Sequence, residues 1–434
     1  MSKKLLRIIL FAILALLSFI SVEFIYYSAA AEPIIDDPNL KAEIVFEGIE
    51  FPTSMAFLDQ DDILVLEKNN GIVRRIVNGM SLSKPLLDVN VSNANERGML
   101  GIAIAKNNDE NTTNVFLYYT ESKERDGNDD CTTPTYCNKG NDPLGNRLYK
   151  YELIHDKLIN PKLLLDLKAT PGPAHNGGVI TLGFDKNVYL VIGELTLMRT
   201  QASNVQKGLA PDGRGGILRV TQDGKVVEGG VLGNTTPLNL YYAYGIRNSF
   251  GMDFDPVTGT LWDTENGPGF GDEINLVKPG FNSGWAKMQG IWQLKRGNEG
   301  NIVLYPPSSL VDFGGKGNYS GPKFVWNNTV APTALTFLNS DKLGTQYEND
   351  LFVGDGNNGN IYHFDLNNDR TELVLQGPLA DKVADNISEN QDIIWGKGFG
   401  IITDIQVGPD GYLYILSVNL PQDRGTIFRI VPIV

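Results

Sequence analysis

Cysteine is almost missing from this 434-residue chain, which has two, Cys131 and Cys137, six positions apart in the polar stretch from Asp126 to Asn146. So sparse a supply excludes a disulfide-built scaffold, and with no nearby histidine or further cysteine no tetrahedral metal set is completed. The pair reads as a single disulfide, in an exposed loop, whose small ring contributes about 2 kcal/mol by loop entropy. Helical periodicity is nearly absent after residue 40, which leaves an all-β reading. A basic stripe with interleaved aromatics is absent as well. The formal net charge is -14, and an acidic surface repels phosphate backbones, so nucleic acid is excluded as a partner and a cation fits better. Beyond the N-terminus, no run is long and apolar enough to span a membrane.

What the N-terminus does contain is a targeting pattern. Lys3, Lys4 and Arg7 precede an apolar run from Ile8 to Ile20, and Ala29-Ala30-Ala31 offers a small-residue cleavage site before Glu32-Pro33. Residues 1–31 are therefore a signal peptide or an N-terminal membrane anchor. Phe24-Ile25-Tyr26-Tyr27 prolongs the run, whereas Glu23 interrupts it. Either form exports the body, to the extracellular space or the outer face of the cytoplasmic membrane. With its net +2 set aside, the remaining chain carries -16.

The full 434-residue chain is 42% hydrophobic and 20% charged, enough to bury a large core. One pattern recurs: a small apolar run, an Asp/Asn/Gly turn, then a strand of aromatic and branched residues. It appears in Ser54–Leu66, Leu100–Tyr119, a third copy around Val179–Ile192, Gly251–Trp262, Ala334–Val353 and Thr403–Leu416. Most copies are followed by another strand, such as Ile72–Ile76 or Ile427–Ile430. Six copies spaced about 45 to 85 residues apart predict a six-bladed β-propeller over residues 40–434, with the first repeat starting near Ala42 and Glu32 to Leu40 as a linker. Long insertions, Glu121 to Asn146 and Gly284 to Thr329, point to loops over a functional face.

Three stretches carry chemistry. In Ala174-His175-Asn176-Gly177-Gly178, a histidine sits on a glycine-rich turn before two strand-like runs, and Glu194 arrives nineteen residues later, in reach if the runs pair. An imidazole held by a carboxylate is a general base; a solvated turn histidine is the other reading. Tyr244-Gly245-Ile246-Arg247-Asn248 directs a fixed cation and an amide at one rim, for a ligand or for tying blades together. Glu265-Asn266-Gly267-Pro268 and Gly271-Asp272-Glu273-Ile274-Asn275 combine exposed carbonyls with carboxylates, the hard oxygens calcium prefers, or form a tight acidic turn.

Taken in order with Pro279-Gly280-Phe281-Asn282-Ser283-Gly284-Trp285, these motifs resemble the soluble pyrroloquinoline quinone (PQQ)-dependent glucose and aldose sugar dehydrogenases, within the glucose/sorbosone dehydrogenase superfamily. The similarity runs from Pro52 through Glu96-Arg97-Gly98-Met99-Leu100-Gly101 to Gly408-Pro409-Asp410-Gly411. It implies a six-bladed propeller with the quinone on its top face. It assigns proton abstraction from the sugar's anomeric hydroxyl to His175, PQQ contacts to Arg247, Asn248 and Glu96, and stabilisation of the quinone oxygen to Arg247. Carbonyls of Gly267 and Pro268 would hold the calcium that polarises the quinone, and Glu273 and Ser283 a further calcium, Ser283 through its backbone oxygen. The chain departs from the glucose dehydrogenases at Glu96 (glutamine there), Ala174 (aspartate), Asn357 (lysine), and Ile401 and Thr403 (both arginine). The last three replace cationic contacts to PQQ carboxylates, which predicts weakened cofactor affinity. The reading is a quinoprotein oxidoreductase, its partners a small-molecule sugar and a separate electron acceptor that the sequence leaves open. The alternatives are a calcium-dependent propeller lactonase and a secreted binding propeller that has lost PQQ.

Overall fold

Side chains along a strand point alternately to its two faces, and in this chain both faces of the middle strands are apolar. In Thr112–Glu121, Phe116 and Tyr118 pack on one side against Ile180, Leu190 and Leu218, while Val115, Leu117 and Tyr119 pack on the other against Leu64, Leu66 and Val73. Each such strand therefore serves two interfaces, which is the packing that radial sheets require.

The computed structural model describes residues 32–107, 112–123, 143–196, 199–294, 300–302, 310–420 and 422–433. Residues 1–31, expected from the sequence to be a targeting segment, and the cysteines at 131 and 137, expected to form a disulfide, lie outside them. Among the described residues, helix is limited to four 3-10 turns of three to five residues, and the rest of the regular structure is strand, as an all-β propeller demands. The innermost strands Pro52–Asp59, Met99–Asn107, Ile180–Leu182, Met252–Phe254, Pro332–Phe337 and Ile401–Val407 touch in cyclic order, the last returning to the first. Among the described residues, core clusters fill the interfaces between successive sheets.

The repeats are not uniform copies. Sheet sizes run from four to six strands around the ring, and a separate three-stranded sheet, Met288–Gln289, Trp292–Leu294 and Gly300–Ile302, is built from the insertion after Gly284. That insertion also adds Asn318–Tyr319 to the third sheet, parallel to Phe281–Asn282. The boundary near Ala42 needs correction. Leu40–Glu50 pairs antiparallel with the C-terminal strand Arg424–Pro432 and completes the last sheet instead of opening the first. The expected linker also holds a strand, Ile34–Ile35, paired with Ile394–Lys397. A ring must join its two ends somewhere, and borrowing an N-terminal strand does so with a full ladder of backbone hydrogen bonds.

Buried carboxylates pin neighbouring inner strands. Asp404 Oδ2 accepts from Met55 N at 2.8 Å and Ser54 Oγ at 2.9 Å. Asp253 Oδ2 accepts from Phe337 N at 3.0 Å and Thr336 Oγ1 at 3.2 Å. Burial outweighs these bonds and pushes both carboxyls up to about 6. Groups raised in the folded state contribute stability that is present below their unfolded pKa, near 3.8, and lost as pH rises through about 6. Replacing either with asparagine should flatten the fall in unfolding free energy between pH 4 and 7 by about 2–3 kcal/mol, read from urea midpoints at a series of pH values. An unchanged pH slope would refute the assignment.

Candidate active site

The loops that lead into the inner strands gather at one rim, and a single oxygen organises three of them. Glu96 Oε2 accepts from His175 N at 2.7 Å, Asn176 N at 3.3 Å and Asn248 Nδ2 at 3.0 Å. Asn248 Oδ1 in turn accepts from Gly177 N at 3.1 Å. These bonds hold His175 in the left-handed region, at φ 61°, where a non-glycine residue is costly without such support. The side chain then meets Glu194, with Nδ1 3.1 Å from Oε1. Gly193, just before Glu194, must lack a side chain: a Cβ there would lie 2.4 Å from the His175 carbonyl oxygen and 2.8 Å from that of Arg247.

Burial raises the Glu194 carboxyl, but the hydrogen bond and charge of His175 outweigh it and hold it below the usual range. Glu194 is thus a carboxylate, an acceptor only. His175 Nδ1 therefore donates to it, leaving Nε2 as the basic nitrogen. Arg247 approaches from the next sheet. Its carbonyl accepts from Glu194 N at 3.0 Å, its Nη1 donates to Asn266 O at 2.8 Å, and its guanidinium lies over Trp285, 5.5 Å from the ring centroid. Arg199 also lies over that ring, at 5.3 Å. Buried Nε of Arg247 has no partner within the protein, so the site holds a fixed cation with a spare donor, which suits an electron-rich ligand oxygen.

Below Arg247 lies a second group. Asp263 and Glu265 alternate along one strand, opposite Asn275 and Glu273 on the next, so all four side chains share one sheet face. Glu265 Oε1 accepts from Arg247 N at 2.7 Å. The Ser283 hydroxyl donates to Glu265 Oε2 and, at 3.3 Å, to Glu273 Oε2. Gln289 Nε2, 3.1 Å away, and Gly290 N donate to Glu273 Oε1. Asp263 is fully buried beside the Asn275 side chain, its one side-chain hydrogen-bonding neighbour, and among the described residues neither of its carboxylate oxygens has a well-formed hydrogen bond; Asn275 Oδ1 and Gln289 Oε1 are likewise unpartnered there. Burial, with mutual repulsion, drives the Asp263 and Glu273 carboxyls well up and Glu265 to about 7. Three buried acids and spare amide oxygens are a donor set that fits a calcium ion.

Gly267 and Pro268 lie on the loop between Glu265 and Asp272, at the Arg247 rim. Asp272 shapes it, taking Gly267 N at 2.7 Å on one oxygen and Val330 N and Ala331 N, both at 2.8 Å, on the other. The Ser283 hydroxyl joins Glu265 to Glu273, and Glu96 is a positioning group for His175 as well as part of a cavity lining. That cavity, of about 540 Å³, runs along the ring axis and is also lined by Lys68, Asn95, Phe250 and Thr403. His175, Arg247 and Asn248 border it through Glu96 and do not line it. Asn357 is exposed, with Nδ2 donating to Thr329 O at 3.1 Å, and neither it nor Ile401 lines the cavity. Sequence reasoning gave no individual role to Asp263, Glu265, Arg199, Trp285 or Lys68, of which Glu265 and Trp285 stand within the quoted motifs. The alternation Asp263-x-Glu265 opposite Glu273-x-Asn275 was a usable signal for the first two.

Residues 49–429 match the family model described as Glucose / Sorbosone dehydrogenase. The chain is 25% identical over 398 residues to the aldose sugar dehydrogenase YliI of Escherichia coli K12, covering 91% of this chain and 93% of that one. It is 26% identical over 269 residues to quinoprotein glucose dehydrogenase B of Acinetobacter calcoaceticus, covering 58% and 53%. Its fold is similar to the PQQ-bound form of aldose sugar dehydrogenase from Streptomyces coelicolor, with a TM-score of 0.61, 21% identity, and coverage of 90% and 98%.

Two outcomes test the geometry. Glu96→Ala, which strands three donors, should lower stability by about 2–3 kcal/mol, whereas Glu96→Gln, which keeps an acceptor oxygen, should cost less than about 1 kcal/mol; equal losses by denaturant unfolding would contradict the role given to Oε2. Calcium added to chelator-treated protein should raise the melting temperature with the logarithm of its concentration. Asp263→Asn and Glu273→Gln should each weaken that response about tenfold or more. A melting temperature indifferent to chelator rejects the cation site.

Proposed function

The chain belongs to the glucose/sorbosone dehydrogenase family, and from that membership we propose that it is an exported six-bladed quinoprotein oxidising an aldose or related sugar or polyol, with PQQ and Ca²⁺ as cofactors. The observation that carries the reading is the His175–Glu194 pair at 3.1 Å, bonded through the backbone to Arg247. It joins a base with an oriented lone pair to a cation with a spare donor. The ring of six inner strands supports the blade count, and the charged, apolar and small-residue order of residues 1–31 supports export.

PQQ, when bound, supplies the hydride acceptor, and calcium the Lewis acidity that polarises it. The protein's own part is proton management and positioning. His175 Nε2 takes the proton of the substrate hydroxyl, and Glu194 keeps the ring in the required tautomer and stabilises the imidazolium that results. Glu96 fixes where that nitrogen stands. Arg247 offers its charge to the oxygen on which negative charge develops, from a site where burial leaves little water to screen it. Gly267 and Pro268 follow Asn266, whose carbonyl accepts from Arg247 Nη1, and Asp263, Glu265, Glu273 and Ser283 would offer the oxygen donors for calcium behind it. Glu265 connects the two, since it accepts from Arg247 N and from Ser283.

Metal-stripped protein should reduce an artificial dye with an aldose only when both PQQ and Ca²⁺ are restored. His175→Ala should then lower kcat at least 100-fold while leaving the PQQ dissociation constant within about threefold. Glu194→Gln, which admits the wrong tautomer, should lower kcat about 10- to 100-fold. A His175→Ala variant turning over at the wild-type rate overturns the mechanism. Lactone hydrolysis without added quinone would instead favour the lactonase.

A further inference from the structure

Far from the histidine turn, a second cross-strand arrangement brings metal-binding side chains together. Phe352 pairs with His363 across the strands Leu351–Asp355 and Asn360–Phe364, and Leu351 pairs with Phe364. Asp350 and Asp365 are therefore the next residues outward on the two strands. Alternation then puts Asp350 and Phe352 from one strand, and His363 and Asp365 from the other, on a single face. Leu351 also stands opposite Phe337, the last residue of the inner strand Pro332–Phe337. Inner strands begin at the rim of the candidate active site, so this group lies at the opposite rim.

The imidazole sets the geometry. His363 Nε2 is 2.9 Å from Asp350 Oδ2 and 3.6 Å from Asp365 Oδ1, and the three ligand atoms all lie within 4.8 Å of one another. Donors bound to one ion at about 2.0–2.2 Å stand about 2.8–3.6 Å apart in octahedral or tetrahedral geometry, so both histidine distances are already those of a shared ion. The ring is held by Phe352, 5.0 Å away between centroids, and by Tyr347, at 5.2 Å and nearly perpendicular. Charge, by contrast, is unbalanced. One N–H can be given in full to only one carboxylate, and among the described residues neither Asp350 nor Asp365 has another ion-pair partner. The arginine that reaches this loop, Arg370, donates Nε to both oxygens of buried Asp255 and Nη2 to Asn349 O, so its charge is committed to Asp255. The Asp365 side chain is 60% exposed, which gives an ion a path from solvent.

We propose that Asp350, His363 and Asp365 form a binding site for a first-row divalent transition ion such as Zn²⁺. The imidazole nitrogen distinguishes it from the buried group of Asp263, Glu265 and Glu273, whose all-oxygen donors suit calcium. Three protein ligands leave further coordination positions to water. An ion there joins the outer ends of two paired strands, so it stabilises that sheet from the rim opposite the candidate active site. The inference does not depend on the quinoprotein reading.

The test titrates Zn²⁺ calorimetrically into the full chain with calcium saturating, so that the buried acids are occupied. Zn²⁺ should bind, and His363→Gln, Asp350→Asn and Asp365→Asn should each weaken it at least about 10-fold, since losing a ligand costs no less than losing a ligand's hydrogen-bond partner. Zn²⁺ should also raise the melting temperature with the logarithm of its concentration, a response that the three variants lose. If His363→Gln or Asp350→Asn fails to fold, the exposed Asp365→Asn decides: Zn²⁺ affinity equal to wild type overturns the proposal. The chain has three histidines, and His175 beside Glu194 is the competing site. Zn²⁺ binding that His175→Ala abolishes and His363→Gln retains therefore overturns the assignment. So does a chain that takes up no Zn²⁺ in the presence of calcium, in which case the three side chains are only a hydrogen-bonded end to the strand pair.

Discussion

One carboxylate oxygen, Glu96 Oε2, sets the geometry on which the site depends. It takes hydrogen bonds from two consecutive amides of the histidine turn and from the Asn248 side chain, so three successive sheets are tied at the rim by one atom. A glycine-rich turn has many accessible conformations, and fixing it costs conformational entropy for each residue held. Glu96 offsets that cost at the one residue whose orientation matters, His175. The positive φ of His175 is then a consequence of where its amide must point. Chemistry at Nε2 is thus decided at the backbone, by a residue from a neighbouring sheet.

The buried acids form the second constraint, coupled to the first through Glu265. A fully buried carboxylate with little more than one side-chain amide beside it, as Asp263 has in Asn275, is among the costlier arrangements a protein interior can hold. Glu273 and Glu265 beside it aggravate the cost by like-charge repulsion. Protonation relieves part of it; a divalent cation relieves it while leaving all three acids as ligands. Because Glu265 accepts from the Arg247 amide, whatever relieves the cluster also fixes the strand from which the Arg247 guanidinium extends. Metal affinity and placement of the cation at the reaction centre are therefore one structural problem.

Much of this was legible in the sequence because it is written with period two. Val188-Tyr189-Leu190-Val191-Ile192, buried throughout, reads as a strand covered on both faces, and repeated runs of that kind imply radial sheets. The nearness of His175 and Glu194 followed from two strands joined by a short turn. Ring closure was harder to read, since the partner of Leu40–Glu50 lies nearly the whole chain away, and no local pattern announces which end completes a sheet. Side-chain roles were harder still. Glu96 reads as an added negative charge on the cofactor face, but its oxygen faces inward to amides, and a backbone donor leaves no trace in residue identity.

A propeller separates what must be constant from what can vary. Its apolar interfaces hold the inner strands, and those strands fix where each entry loop begins. Within that frame a charge can move from one sheet to its neighbour and still face the same axial space, since all inner strands border it. Losing cations at 357, 401 and 403 therefore differs from losing the site. His175, Glu194 and Arg247 have no such freedom: their mutual geometry runs through Gly193, where even a methyl group would collide with both neighbouring carbonyls. Base and cation are locked together by sterics, whereas the anchoring charges around them are held only by electrostatics, and that difference decides which part of the site the sequence was free to change.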